Sequence, residues 1–335
     1  MVKIGLLAYW KDYDRKTTLR AVRMADKLGF DSFWVPEAWG YDATTLIAEM
    51  AVRTKRIKLG TGIMNVFSRS PALIAQQSAT LQEISGGRFM LGLGVSGKNV
   101  IEGFHGRPFT KTLSQTKDVI RVVRTLHAGD KLHRAGTTLQ DYRPFELNMK
   151  PPDPPVPIYV AALKRKAITN IGAMGDGWMP IMWPYDRMAE PRSWIAEGAA
   201  SAGRDPSEIV TAPFVIVIPL AEKKATDKAR EVLSFYIGGM GEYYKQLLSG
   251  FGWADECEEI SALYADKKTR PQARAAVTDE MIEGLTITGD VLYCRRELRR
   301  RMDLGLGQPL VALPPGMPFP AIAAFMTALA PTRWP

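Results

Sequence analysis

DSFWVPEAWGYDATTLIAEMAVRTKRIKLGTGIMNVFSRSPALIAQQSATLQEISGGRFMLGLGVSG, running from Asp31 to Gly97, carries the pattern that decides the fold. It opens on a short apolar run, Asp31–Glu37, and passes at Asp42–Lys55 into helical spacing with Asp42 or Thr44 as the N-cap. Ile57–Asn65 is strand-like again. Ser70–Ser85 is helical, with Pro71 in the first turn, where the missing N–H is not needed. Arg88–Ser96 closes the stretch as another strand. Short apolar strands alternating with amphipathic helices build parallel sheets whose faces are covered by the helices.

The alternation continues outward in both directions. Upstream, Lys3–Trp10 reads as a strand and Arg15–Gly29 as a helix stopped by glycine. Downstream come helix Leu113–Gly129, strand Ile158–Leu163, helix Lys166–Gly175, strand Trp178–Met182 and helix Arg192–Gly203. Ile209–Leu220 is a strong strand and a helix begins at Lys224; Arg295–Leu304 is helical, Pro309–Leu313 is the last strand and Phe319–Ala330 the closing helix. Two stretches break the rhythm. Residues 130–156 hold a hairpin-like turn at Ala135–Gly136 and a proline-rich link, and residues 238–288 read as mostly helical, with 238–283 an insertion. Eight βα units predict one domain over residues 1–335, a (β/α)8 TIM barrel with insertions. A doubly wound sheet would carry a G-x-G-x-x-G turn directly after strand one, yet Tyr9–Arg15 has no glycine. No Walker A or G-x-S-x-G motif is present either.

Composition narrows the chemistry. In 335 residues, 46% are hydrophobic and 24% charged, an ordinary globular balance. The apolar run Ile4–Trp10 is too short to span a bilayer and has no basic flank, so no membrane association and a cytoplasmic location are expected. Cys257 and Cys294 lack C-x-x-C spacing, and His105, His127 and His133 are scattered, so no metal site is expected. The net charge of +9 favours an anionic partner. No zinc-finger or RNP-type pattern accompanies it, which points away from nucleic acid and toward a small molecule.

In a barrel of this kind the chemistry sits on the loops after the strands. Those loops carry Tyr9, Trp39, Tyr41, Met182 and Trp183, suited to covering a flat ring system and assigned here to substrate. Gly62 and Gly94–Gly97 allow close backbone approach to a ligand. Lys164–Arg165–Lys166 opens a helix, where free N–H groups already favour a phosphate. Glu37 can hold a cofactor, act as an acid or base, or pair with a basic neighbour. With no histidine on the first six strands and no carboxylate cluster, a cofactor is expected to supply the hard chemistry.

Asp31–Ala43 and Ile57–Gly97 resemble the bacterial-luciferase-like superfamily, and the second stretch is similar to its deazaflavin-dependent branch. Lys98–Arg124, Pro157–Leu163 and Ala173–Pro180 continue the likeness, which covers most of residues 1–220. The resemblance implies a coenzyme F420-dependent oxidoreductase that moves hydride between the deazaflavin C5 and an activated C=C, C=N or C=O, with FMN as the alternative cofactor and a ligand-binding barrel without turnover as a further alternative. It implies a cis peptide at Gly62–Ile63 behind the deazaflavin. It places Glu37, Gly62, Ile63, Asn65, Val95, Ser96 and Gly97 around the ring and ribityl chain, and Ala162, Leu163, Lys164 and Arg165 around the phosphate. It also implies a homodimer through Asp42–Lys55 and Ser70–Ser85. Three positions depart from the pattern. Ala38 stands where the sugar-phosphate dehydrogenase branch has its catalytic histidine, and Gly97 stands where that branch has a glutamate. Both argue against sugar-phosphate oxidation. Lys164–Arg165 replaces the usual Gly-Pro of the phosphate loop, which leaves FMN open. With that histidine absent, the proton-donor candidates are Glu37 first, then Tyr9, Tyr41, Asp42 and water.

Overall fold

The computed structural model describes residues 2–8, 13–133, 142–240, 242–314 and 316–334. Its strands are β1 (Gly5–Leu7), β2 (Ser32–Val35), β3 (Lys58–Thr61), β4 (Met64–Asn65), β5 (Phe89–Gly94) and β6 (Ile158–Val160). They continue as β7 (Gly177–Trp178), β8 (Val210–Thr211), β9 (Phe214–Pro219), β10 (Thr286–Gly289) and β11 (Leu310–Ala312). Every recorded pairing is parallel. Two staves are broken in the middle: β3 and β4 by Gly62–Ile63, and β8 and β9 by Ala212–Pro213. The sheet runs from β1 through β2, β3, β5, β6 and β7 to β8, and then closes, because β9 pairs β11 (Phe214 with Leu310) and β11 pairs β1 (Leu310 with Gly5). The eight-stave barrel expected from the sequence is the observed architecture.

The helices lie where the sequence places them, with local reasons visible at their ends. Asp14, Asp42 and Ser70 each accept a hydrogen bond from a first-turn N–H and start the helices Arg15–Leu28, Ala43–Arg53 and Pro71–Ser85. Gly29, at φ 79°, stops the first of them in the left-handed region. Inside the barrel, Trp34, Met90, Tyr159, Met179, Ala212 and Leu310 fill the axis, with the Trp34 and Tyr159 rings edge to face at 5.2 Å. Space is tight enough that a Cβ on Gly92 would lie 1.9 Å from the Thr61 carbonyl oxygen. Instead the Thr61 hydroxyl bridges the staves, donating to the Gly92 carbonyl at 2.8 Å and accepting from its N–H at 2.9 Å.

The stretch 238–288 needs one correction. Residues 242–285 are helical, in the segments Glu242–Ser249, Ala254–Ala265, Arg270–Ala275 and Asp279–Leu285, but Thr286–Gly289 is strand β10. The far half of β9, Ile216–Pro219, overhangs the barrel, and β10 pairs with it residue for residue. These helices pack against Glu222–Gly239 around their own buried cluster, which includes Leu233, Ile237, Trp253 and Ile260. The turn expected at Ala135–Gly136 lies outside the described residues. Among the described residues, no helix is long and apolar enough to cross a membrane, and no cluster of side chains could hold a metal ion.

Candidate active site

The C-terminal ends of the staves open into one cavity of about 2280 Å³. Its floor and walls come from the loops after β1, β2, β5 and β6, and its roof from the helices Glu222–Gly239 and Glu242–Ser249. The roof touches the rim at Tyr243, whose ring lies 6.2 Å from that of Phe109 and 5.6 Å from the Lys164 ammonium.

Glu37 borders this cavity, but its carboxylate is committed. Arg69 grips it bidentately, Nη1 donating to Oε1 at 2.5 Å and Nη2 to Oε2 at 2.8 Å, while the Ala43 N–H donates to Oε2 at 3.2 Å. The side chains are 7% and 12% exposed. Arg69 also donates to Asp42 Oδ2 at 2.5 Å. Burial acts to raise the Asp42 carboxyl. Hydrogen bonds from the Thr45 N–H and the Thr44 hydroxyl, with the Arg69 charge, outweigh it and hold Asp42 below the usual carboxylate range. Both carboxylates therefore act as hydrogen-bond acceptors for Arg69. Glu37 and Asp42 thus anchor the second loop to the start of the Pro71–Ser85 helix, and Glu37 takes the pairing with a basic neighbour that the sequence also allows.

The Gly62–Ile63 peptide is cis, as the resemblance implies, and both residues line the cavity. Val95, Ser96 and Gly97 line it too, and Ser96 is held at φ 59°. A non-glycine residue in the left-handed region is costly and is found preferentially where function fixes the backbone. Ala162, Leu163, Lys164 and Arg165 form the facing wall. The helix Arg165–Met174 starts there without a side-chain cap, at the cavity end where Lys164, Arg165 and Lys166 are exposed and Arg165 pairs with Glu197 at 3.3 Å. The Ala162 carbonyl is pinned from behind by the Trp178 indole N–H at 2.9 Å.

Of the aromatic and methionine residues expected at substrate, Trp39 lines the cavity and three others do not. Tyr41 faces outward, its hydroxyl accepting from the Arg15 N–H at 3.3 Å. Met182, at φ 56°, is buried in the core of the roof. Trp183 packs edge to face on Trp178 and Phe251 at 5.5 and 5.1 Å. Both belong to the joint between barrel and roof, because the loop after the sixth stave turns under the added helices. Asn65 is likewise off the cavity. Its Oδ1 accepts from the N–H groups of Phe67 and Ser68 at 3.0 and 2.7 Å and shapes the loop that delivers Arg69. Tyr9 lies outside the described residues.

Sequence reasoning missed Arg69 and the roof. Arg69 carried a usable signal, a lone cation after the third strand beside a carboxylate after the second. The roof residues Phe235, Tyr243 and Tyr244 carried only a cluster of aromatics in a stretch with no expected contact to the barrel.

The luciferase-like monooxygenase family profile matches residues 9–308. The chain belongs to this family. A Mycobacterium tuberculosis protein named as a coenzyme F420-dependent oxidoreductase is 30% identical over 318 residues, covering 89% of this chain and 91% of its own length. The 5,10-methylenetetrahydromethanopterin reductase of Methanolobus tindarius is 29% identical over 298 residues, covering 88% and 89%. Among solved structures, the coenzyme F420-dependent tetrahydromethanopterin reductase of Methanopyrus kandleri superposes with a TM-score of 0.78 at 22% identity, covering 97% of this chain and 98% of that one. The chain is thus a luciferase-like oxidoreductase, and the family fold is the barrel described above.

Proposed function

We propose that this enzyme uses coenzyme F420 and transfers hydride between the deazaflavin C5 and an activated C=C, C=N or C=O of a small organic substrate. The observation that carries the reading is the polarity of the cavity. One end is cationic, at Lys164–Lys166 and an uncapped helix start, and the middle is walled by Leu7, Ile63, Val95 and the backbone of Gly62 and Gly97. A flat ring with an anionic arm fits that gradient, and the named relatives with that cofactor support it. Bound deazaflavin supplies a two-electron hydride carrier. The protein's own residues hold the ring against Gly62–Ile63, neutralise the arm at Lys164 and Arg165, and exclude water beneath the roof. Two copies of the chain are proposed to pair through the Ala43–Arg53 and Pro71–Ser85 helices, where Val52 is 71% exposed and Leu73 and Ile84 are also exposed.

Titration of the protein with oxidised coenzyme F420 and, separately, with FMN, followed by absorbance and fluorescence, tests the cofactor. Saturable deazaflavin binding is expected. Tight FMN binding with no deazaflavin binding refutes the reading.

A further inference from the structure

The cavity is larger than one small ligand needs. A drug-sized ligand occupies a pocket of roughly 300–1,000 Å³, whereas this one measures about 2280 Å³. Its part under the roof is rich in aromatic side chains: Phe235, Tyr236, Tyr243, Tyr244 and Tyr264 all border the cavity. They form a connected wall, with Phe235 and Tyr236 ring centroids 5.8 Å apart and Tyr236 and Tyr244 edge to face at 5.1 Å. Tyr244 is half-buried and borders the cavity. No hydrogen bond engages its hydroxyl among the described residues, and burial pushes the phenol up to about 12, so it stays an O–H donor. Lys228 and Glu231 of the Glu222–Gly239 helix border the cavity as an ion pair at 3.1 Å, and Glu242, Gln246 and Arg274 border it too.

We propose that the helices Glu222–Gly239 and Glu242–Ser249 form a substrate subsite for an uncharged aromatic compound of two or more fused rings, with Tyr244 donating a hydrogen bond to an acceptor such as its carbonyl. This names the substrate class for the hydride-transfer site and rests on that reading for its place in the reaction. The physical basis is the wall itself. Clustered rings offer edge and face to a flat apolar partner, and the Tyr244 hydroxyl, which no described residue engages, rewards an acceptor. A small polar substrate would leave most of the wall facing water.

The test is calorimetric titration of the full chain, with and without coenzyme F420, using 2-acetonaphthone, its carbonyl-free analogue 2-ethylnaphthalene, and acetone. 2-Acetonaphthone is expected to bind at least about 100-fold more tightly than acetone, since burying a naphthyl group removes a large apolar area from water. Phe235→Ala should weaken both naphthyl probes alike. Tyr244→Phe, which keeps the ring, should weaken 2-acetonaphthone by about fivefold to tenfold, as one hydrogen bond is worth, and leave 2-ethylnaphthalene unchanged. Equal affinity for acetone and 2-acetonaphthone overturns the subsite, as does a Tyr244→Phe effect that ignores the carbonyl. Failure of the cofactor reading is separate: the naphthyl probes then still bind while coenzyme F420 does not.

Discussion

Arg69 is the residue whose removal tests the site most directly. Arg69→Met keeps much of the apolar stem and deletes the guanidinium. Glu37, 7% exposed at its side chain, then loses both charge-assisted hydrogen bonds and keeps one N–H, from Ala43 at 3.2 Å. Breaking a buried ion pair by removing one partner costs roughly 3–5 kcal/mol, because the survivor is an uncompensated buried charge. Glu37 borders the cavity, through which water reaches it, so the low end applies, about 3 kcal/mol. At about 2 °C per kcal/mol for a large domain, the melting temperature should drop by roughly 6 °C. The double variant Glu37→Gln with Arg69→Met removes the stranded charge and should recover about half of the loss, a coupling that marks the two as partners. Thermal unfolding followed by tryptophan fluorescence reads the parent, Glu37→Gln, Arg69→Met and the double variant, with coenzyme F420 titration alongside. Arg69→Met within about 1 °C of the parent, or a double variant no better than Arg69→Met, would show that the pair carries no such energy and that Glu37 is free for another role.

Lys164, Arg165 and a buried histidine supply further expectations. Replacing Lys164 and Arg165 together by Ala should weaken coenzyme F420 binding by about tenfold to thirtyfold at low ionic strength and by much less at 0.5 M salt, because exposed charges are screened within a few ångströms there; unchanged affinity at low salt removes both from the site. His127, packed against the Pro71–Ser85 helix with Nε2 at 3.0 Å from the Ala75 carbonyl oxygen and 3.1 Å from the Ser78 hydroxyl, has its pKa lowered from 6.5, by burial first and by Arg124. The unfolded chain therefore takes up this proton before the native one, and stability should fall as pH drops below 6.5 until the native pKa is reached. Melting curves between pH 7 and pH 5 should show a shallower decline for His127→Gln; identical slopes would sink the assignment.

Much of this was legible in the chain itself. Asp42 and Ser70 announce helix starts, Gly29 a helix stop, and the βα period announces the barrel, because capping and hydrophobic periodicity act over a few residues. That Gly62–Ile63, Val95–Gly97 and Ala162–Arg165 border one cavity also followed, since a barrel brings the ends of its staves to one rim. The sequence could not say what the rim side chains would touch. Glu37 and Arg69, 32 residues apart, meet only because neighbouring staves set their loops side by side, and that contact gives Glu37 its basic partner. Met182 and Trp183 look like rim residues in the linear order, yet the helices that follow bury them in a joint. The roof itself is a tertiary result. Tyr243 and Tyr244 come from a helix with no barrel period, and only packing against Glu222–Gly239 and across to Phe109 and Lys164 places them over the mouth. Local patterns fix which elements form; long-range burial decides which side chains are left facing the ligand.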